Sequence, residues 1–357
     1  MLQPELDKIV YFQSEEPRVY ESAHPKSLLH SIVEDGKALD SLKNQHVYSS
    51  DQFDRNTILQ LLRLAAKYEA NPERFSAPLQ GKILISAFYE PSTRTRLSFE
   101  SAWHRLGGNI MSITDRSTTG IAKGESLSDV AEMFNSYGDC VVLRDSNDSS
   151  VKEMMDALRI PIINAGNGLD EHPTQALADL YTIFKWRPDL IQTKPENPIK
   201  LCIIGMPSRM RTVRSLLKLI SVFPNAFETV TIVANEVEEK IFDQGQKEQL
   251  LNVGLNIEVT GGFSNAIKSA DVIYINAIAW EGNTFKEYGA DYKLSASSPL
   301  KAQAIVLHPL ARGEELCTSL DDTSHNWYFS QARGAVFLRQ ALLTCLLHRT
   351  DRVLDII

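Results

Sequence analysis

Residues Glu90–Glu100 read EPSTRTRLSFE, and the place of this stretch between an apolar run and an amphipathic one decides how the rest of the chain is read. KILISAF (82–88), just before it, has the character of a strand covered on both faces. After it Phe99, Trp103 and Leu106 recur at helical spacing, and Gly107-Gly108 stops the run. Ser92 to Arg96 therefore occupies a strand-to-helix turn, where unpaired backbone N–H groups and the positive end of a helix dipole converge. Serine and threonine hydroxyls add neutral donors, and arginine adds a planar fork. The combination suits a doubly charged anion, most simply a phosphate. A capped helix would need a single hydroxyl, which leaves most of S-T-R-T-R unexplained. No glycine-rich turn and no Gly-Lys-Ser/Thr is present, so this is not a nucleotide P-loop.

Working outward, the same alternation repeats. Further strands are expected at 109–113, 140–144, 160–164, 200–205, 229–234, 256–260, 271–276 and 304–309. Helical patterns lie at 54–70, 94–106, 126–136, 150–158, 173–186, 211–222, 236–252 and 263–269, and an apolar helix spans GAVFLRQALLTCLLHR from Gly334. Strands and helices in this order predict an α/β chain of parallel-type sheets with crossover helices. At 357 residues, two domains are expected rather than one. The polar, proline-bearing segment 185–200 reads as the hinge. The expected division is an N-terminal extension (1–44), an anion-binding domain (45–184, with the C-terminal helix 334–357) and a second domain (200–325).

The net charge of -8 argues against general nucleic-acid binding. No apolar run is long enough for a membrane span, and the N-terminus lacks the core of a secretion signal. Cys140, Cys202, Cys317 and Cys345 lie far apart and the histidines do not cluster, so no metal, no disulfide and no cofactor is expected. A reducing, cytoplasmic setting follows. IIGMPSRM, before Arg211, is a second strand-to-helix turn, but it lacks Gly-x-Gly-x-x-Gly, which speaks against a dinucleotide site.

The block FYEPSTRTRLSFESAWHRLGG (88–108) resembles the carbamoyl-phosphate signature of the aspartate and ornithine carbamoyltransferase family. AKGESLSD (122–129), VVLRDS (141–146), NAGNGLDEHPTQALADLYTI (164–183), RTVRSL (211–216), VLHPLAR (306–312) and WYFSQARGAVFLRQALL (327–343) follow in the family's order. HPLAR is similar to the aspartate branch. The resemblance implies a two-domain carbamoyltransferase fold, with a cleft that closes over carbamoyl phosphate and a small amine or amino acid.

Position by position, it also implies roles. Ser92, Thr93, Arg94 and Thr95 would cradle the phosphate, with Arg339 in support. Arg144 would bridge the phosphate and the carbonyl oxygen. His172 and Thr95 would donate to that oxygen. Gln175 and the main-chain carbonyls of Pro309 and Leu310 would take the carbamoyl NH2. Arg211 would grip the acceptor's α-carboxylate, with Leu310 beside the amine. Thr119 and Lys123 would reach in from a neighbouring subunit of a homotrimer with shared sites. Taken alone, several of these positions read more plainly: His172 as a residue at a helix start, Arg144 as a surface ion pair, Lys123 as a solvated loop charge.

The acceptor half departs from the family. An Arg-x-Gln set normally holds the side-chain carboxylate of aspartate; Ala277 and Ala279 stand there in YINAIAWEG. Two alanines cannot pair a carboxylate, unless Arg209 or Lys286 compensates. Trp280 adds to a less charged pocket. Ala311 replaces the proline of a cis Leu-Pro bond, and cis is far less favoured before alanine, so either isomer is open. Three readings result. The chain is a carbamoyltransferase for a small amino acid with a neutral or apolar side chain, an aspartate carbamoyltransferase of pyrimidine synthesis with a rerouted carboxylate contact, or a non-catalytic carbamoyl-phosphate-binding paralogue.

Overall fold

The computed structural model describes residues 25–73, 77–168, 170–276 and 292–353. Two parallel sheets carry the fold. The first contains β1 (Ile83–Phe88), β2 (Asn109–Ile113), β3 (Cys140–Asp145) and β4 (Ile162–Asn167), in the order β2-β1-β3-β4. The second contains β5 (Ile199–Ile204), β6 (Phe227–Val233), β7 (Ile257–Thr260), β8 (Val272–Ile275) and β9 (Ile305–Leu307), in the order β7-β6-β5-β8-β9. In each sheet the first strand lies inside, and the chain then steps out to one side and back to the other. That reversal opens a crevice at the C-terminal ends of β1 and β5, where open α/β sheets bind ligands.

The strands form where apolar residues run without interruption, because helices cover both faces. Cys140 to Leu143 of β3 are wholly buried. Around the sheets lie α1 (Pro25–Ser31), α2 (Arg55–Ala70), α3 (Thr93–Arg105), α4 (Leu127–Tyr137), α5 (Ser150–Met155), α6 (Pro173–Trp186), α7 (Arg211–Ile220), α8 (Glu238–Ile241), α9 (Gln246–Asn252), α10 (Phe263–Ser269) and α11 (Tyr328–Leu346). Asp54 starts α2 by accepting the Thr57 N–H at 2.7 Å. Pro173 occupies the first turn of α6, where a missing N–H is harmless. α11 packs against α2, α3 and α6, and α6 packs against α7, so helices join the two lobes behind the crevice. Among the described residues no helix is long and apolar enough to cross a membrane.

Several elements differ from expectation. The pattern at 236–252 forms two short helices, α8 and α9, because Phe242 turns into the core and Gly245 takes φ 76° between them. The last long helix begins at Tyr328, ahead of Gly334. Gly334 is an interior residue whose missing Cβ lets Tyr181 and the Lys185 Nζ approach; a Cβ there would meet them at 3.1 and 3.2 Å. β4 starts later than expected, after Pro161, and continues through Gly166 to Asn167. Within the extension 1–44, the described part packs down: Leu28, Leu39 and Leu42 are buried in the main core.

Candidate active site

The sequence that builds each strand end also builds the site. Glu90 to Thr95 follow β1, Arg144 is the last residue but one of β3, and Gly168 and His172 follow β4. From the second sheet come Arg209 to Thr212 after β5, Asn276 after β8, and Pro309 and Leu310 after β9. All line one cavity of about 780 Å³ between the lobes. Of the residues expected there, Ser92, Thr93, Arg94, Thr95, Arg144, His172, Gln175, Arg211, Pro309 and Leu310 converge on it. Arg339 lines a smaller adjoining space with Arg94, Thr95 and Gln175.

Ser92 is the N-cap of α3, yet its side chain bonds no backbone N–H of the helix. Ser92 to Thr95 line the cavity, so the helix start opens on it with the dipole behind and with first-turn N–H groups that no helix carbonyl takes. Arg339 donates to Ser98 Oγ one turn further on and stacks over Phe99, 4.6 Å from the ring centroid. Burial lowers its pKa to about 9, opposed by the charge of Asp179.

A carboxylate that sequence reasoning left unassigned ties the cationic groups together. Glu90 accepts from Arg144 Nη2 at 2.5 Å and from Arg211 at 3.3 and 3.4 Å. Arg211 also donates to the Gly168 carbonyl at 2.5 Å. Arg144 has its pKa lowered, mainly by burial and then by the charge of Arg211, with Glu90 opposing. The clue in the sequence was an acid placed directly before Pro91 in a turn otherwise full of arginine.

His172 is buried, and its pKa lies well below the ordinary imidazole value, through burial first and then the charges of Arg211, Arg144 and Arg339. The ring is neutral. Its Nδ1 is buried with no partner among the described residues, while its backbone N–H donates to Ser215 Oγ at 3.0 Å. Gly166, with φ 101°, makes room for it: a Cβ there would come within 3.1 Å of the His172 ring and 3.2 Å of the Arg211 guanidinium. Gln175, three residues on, turns its amide NH2 to Asp179 Oδ1 at 2.7 Å. Burial raises the Asp179 pKa to about 7, opposed by the amide donors of Gln331 and Gln175.

Thr119 and Lys123 do not line the cavity of their own chain. Thr119 lies between two 3-10 turns, Arg116–Thr118 and Gly120–Lys123, its hydroxyl donating to the Arg116 carbonyl at 2.7 Å, and Lys123 ends the second turn, exposed. Arg116 anchors this loop to Asp145, beside Arg144, at 2.9 Å. The Leu310–Ala311 peptide is cis, and Leu310 has φ 56°. Ala277, Ala279, Trp280 and Lys286 lie outside the described residues. Arg209 lines the cavity from the second sheet and is exposed. Among the described residues no group of acids, histidines and cysteines could hold a metal ion.

Residues 45–185 match the family profile described as aspartate/ornithine carbamoyltransferase, carbamoyl-P binding domain, and residues 197–346 match its Asp/Orn binding domain. The aspartate carbamoyltransferase catalytic subunit of Methanococcus vannielii is 34% identical over 310 residues, 85% of this chain and 98% of that protein. The subunit of the same name from Clostridium perfringens is 34% identical over 312 residues, covering 86% and 99%. Among solved structures, aspartate transcarbamoylase from Trypanosoma cruzi in complex with carbamoyl phosphate and aspartate superposes with a TM-score of 0.77 at 31% identity, covering 87% of this chain and 98% of that one.

Proposed function

The chain belongs to the aspartate/ornithine carbamoyltransferase family, and from that membership we propose that it moves the carbamoyl group of carbamoyl phosphate onto the primary amine of a small amino acid. The observation that carries this reading is the convergence of an uncapped helix start, Ser92 to Thr95, with Arg144, His172, Gln175 and Arg211 in one cavity.

In this reading Ser92, Thr93, Arg94 and Thr95 hold the phosphate, with Arg339 behind them. Arg144 and the neutral His172 steady the carbonyl oxygen as charge builds on it at the tetrahedral stage. Gln175 and the Pro309 and Leu310 carbonyls take the NH2. Arg211 holds the acceptor's carboxylate so that its amine lies in line with the carbonyl carbon, next to Leu310. The amine nitrogen bonds to that carbon, the bond from carbon to the bridging phosphate oxygen breaks, and phosphate leaves with the electron pair. The amine's extra proton passes to the departing phosphate or to solvent. Much of the acceleration comes from alignment of two small reactants. Thr119 and Lys123, which do not line their own cavity, belong in this reading to a neighbour's site in a homotrimer.

The proposed acceptor is not held as aspartate is held in the family pattern, because Ala277 and Ala279 occupy the Arg-x-Gln positions. An amino acid with a neutral or apolar side chain fits this better. Relatives named aspartate carbamoyltransferase support the second reading, aspartate itself. Phosphate release from carbamoyl phosphate across a panel of amines, aspartate included, separates the two. Efficient use of aspartate below millimolar concentration would select aspartate. No amine-dependent release from any member would end the catalytic reading.

A further inference from the structure

The geometry points to Asp179 as a positioning residue that sets which way the Gln175 amide faces and, through Gln331 and His308, ties that amide to the Pro309–Leu310 turn. The inference deepens the proposed carbamoyl transfer and rests on it. Its substance is recognition of an NH2 group on an acyl phosphate.

Asp179 follows Gln175 by one turn of α6 and is completely buried. Two amides donate to the same carboxylate oxygen: Gln175 Nε2 at 2.7 Å and, from α11, Gln331 Nε2 at 2.5 Å. The oxygen that takes both amides, Oδ1, acts there only as an acceptor. Each amide must therefore present its NH2 to Asp179 and turn its carbonyl oxygen the other way. For Gln331 that oxygen is occupied, because it accepts the His308 N–H at 2.8 Å. For Gln175, which lines the cavity, the oxygen makes no hydrogen bond among the described residues. It is left as an acceptor suited to a substrate N–H.

The chain of contacts continues into the second lobe. His308 Nδ1 accepts the Leu310 N–H at 2.7 Å, so the ring carries its proton on Nε2 and donates it to Glu315 at 3.0 Å. His308, Glu315 and Gln331 are all buried. The turn that brings Pro309 and Leu310 to the cavity is thus held from the same buried network that aims Gln175. Gln175 from one lobe and the Pro309–Leu310 turn from the other line the same cavity, so in the proposed reading their acceptors meet the same group of the substrate. Carbamoyl phosphate has an NH2 there; acetyl phosphate has a methyl of similar size. A site built from buried acceptors rejects the methyl because its oxygens lose their partners.

A buried carboxylate could instead do no more than fasten α6 to α11, and the test separates the two roles. Binding of carbamoyl phosphate, acetyl phosphate and inorganic phosphate is measured by calorimetry on the full chain and on Asp179→Asn. Asparagine can donate as well as accept, so one glutamine is free to flip. The wild type should favour carbamoyl over acetyl phosphate by at least about 100-fold. In the variant that ratio should fall at least about tenfold, with inorganic phosphate affinity held within about twofold. A general loosening would weaken all three ligands together and leave the ratio alone, which would overturn the inference. Should Asp179→Asn not bind inorganic phosphate at all, Gln331→Met is judged by the same ratio, since it cuts the link at another point. A preference retained in the folded variant sinks the inference alone. A wild type with no preference sinks the donor reading with it.

Discussion

The Glu90 carboxylate lies against the Arg144 guanidinium at 2.5 Å, and the same carboxylate reaches Arg211 across the crevice at 3.3 Å. One acid at the end of β1 thereby holds the arginine of its own sheet and the arginine that opens α7 of the other. Two half-buried cations beside the buried His172 would otherwise repel. In the proposed function, the same contact with Glu90 holds the Arg211 that would meet the acceptor's carboxylate.

Replacing this acid uncouples the second arginine. Glu90→Gln is expected to raise the KM for the acceptor by about tenfold, equivalent to about 1.4 kcal/mol. Inorganic phosphate affinity should change much less, because the hydroxyls and helix start of α3 do not depend on Glu90. Initial-rate kinetics with the best amine of the panel, alongside calorimetry with phosphate, make the comparison. An unchanged acceptor KM would remove Glu90 from this role.

Arg94 stands at the start of α3 and faces the cavity, exposed and outside the core. Arg94→Ala should weaken inorganic phosphate binding by at least about tenfold, since a charge-assisted contact is lost. The melting temperature should stay within a few degrees, as surface substitutions change stability little. A large fall in melting temperature would mean that Arg94 serves the fold instead.

Gly166 is the narrow point beside His172 and Arg211. Gly166→Ala places a methyl 3.1 Å from one and 3.2 Å from the other, on a backbone with φ 101°. Both side chains should be displaced, and kcat/KM should drop by about 100-fold or more. Retained activity in a folded Gly166→Ala protein would show that the two side chains have slack.

His172 makes a prediction about acid. Above about pH 6.5 the imidazole is neutral in both folded and unfolded chains and contributes no pH dependence. Below that, the unfolded chain takes up a proton that the folded site refuses, because burial and three arginines hold the folded pKa down. Stability is therefore lost as pH falls from about 6.5 towards the folded value. Urea midpoints measured between pH 7.5 and 5.5 should fall less steeply in His172→Gln than in the wild type. An equal slope would mean that His172 protonates freely in the folded protein.

The parallel α/β class was legible because it rests on local patterns. Continuous Ile- and Val-rich runs mark strands covered on both faces, and β1, β3, β5 and β8 all form where such runs stand. The turn at 90–96 was legible for the same reason: strand, donor-rich corner and helix are adjacent in the chain. Gly334 was misread as a helix start because a glycine inside a helix is explained only by what packs against it, here Tyr181 and Lys185 from α6. The break between α8 and α9 depended on Phe242 turning into the core, which periodicity alone does not report.

Local order of residue types was enough to specify the strands, the crossover helices and a corner shaped for an anion, since each of these is decided within a few residues by backbone sterics, apolar spacing and unpaired N–H groups. Tertiary structure alone decided the partners: Glu90 with Arg211, 121 residues away, and Gln331 with Asp179, 152 residues away. Hydrogen bonds of this kind act over about 3 Å, and only the folding of two sheets against shared helices brings such distant positions that close.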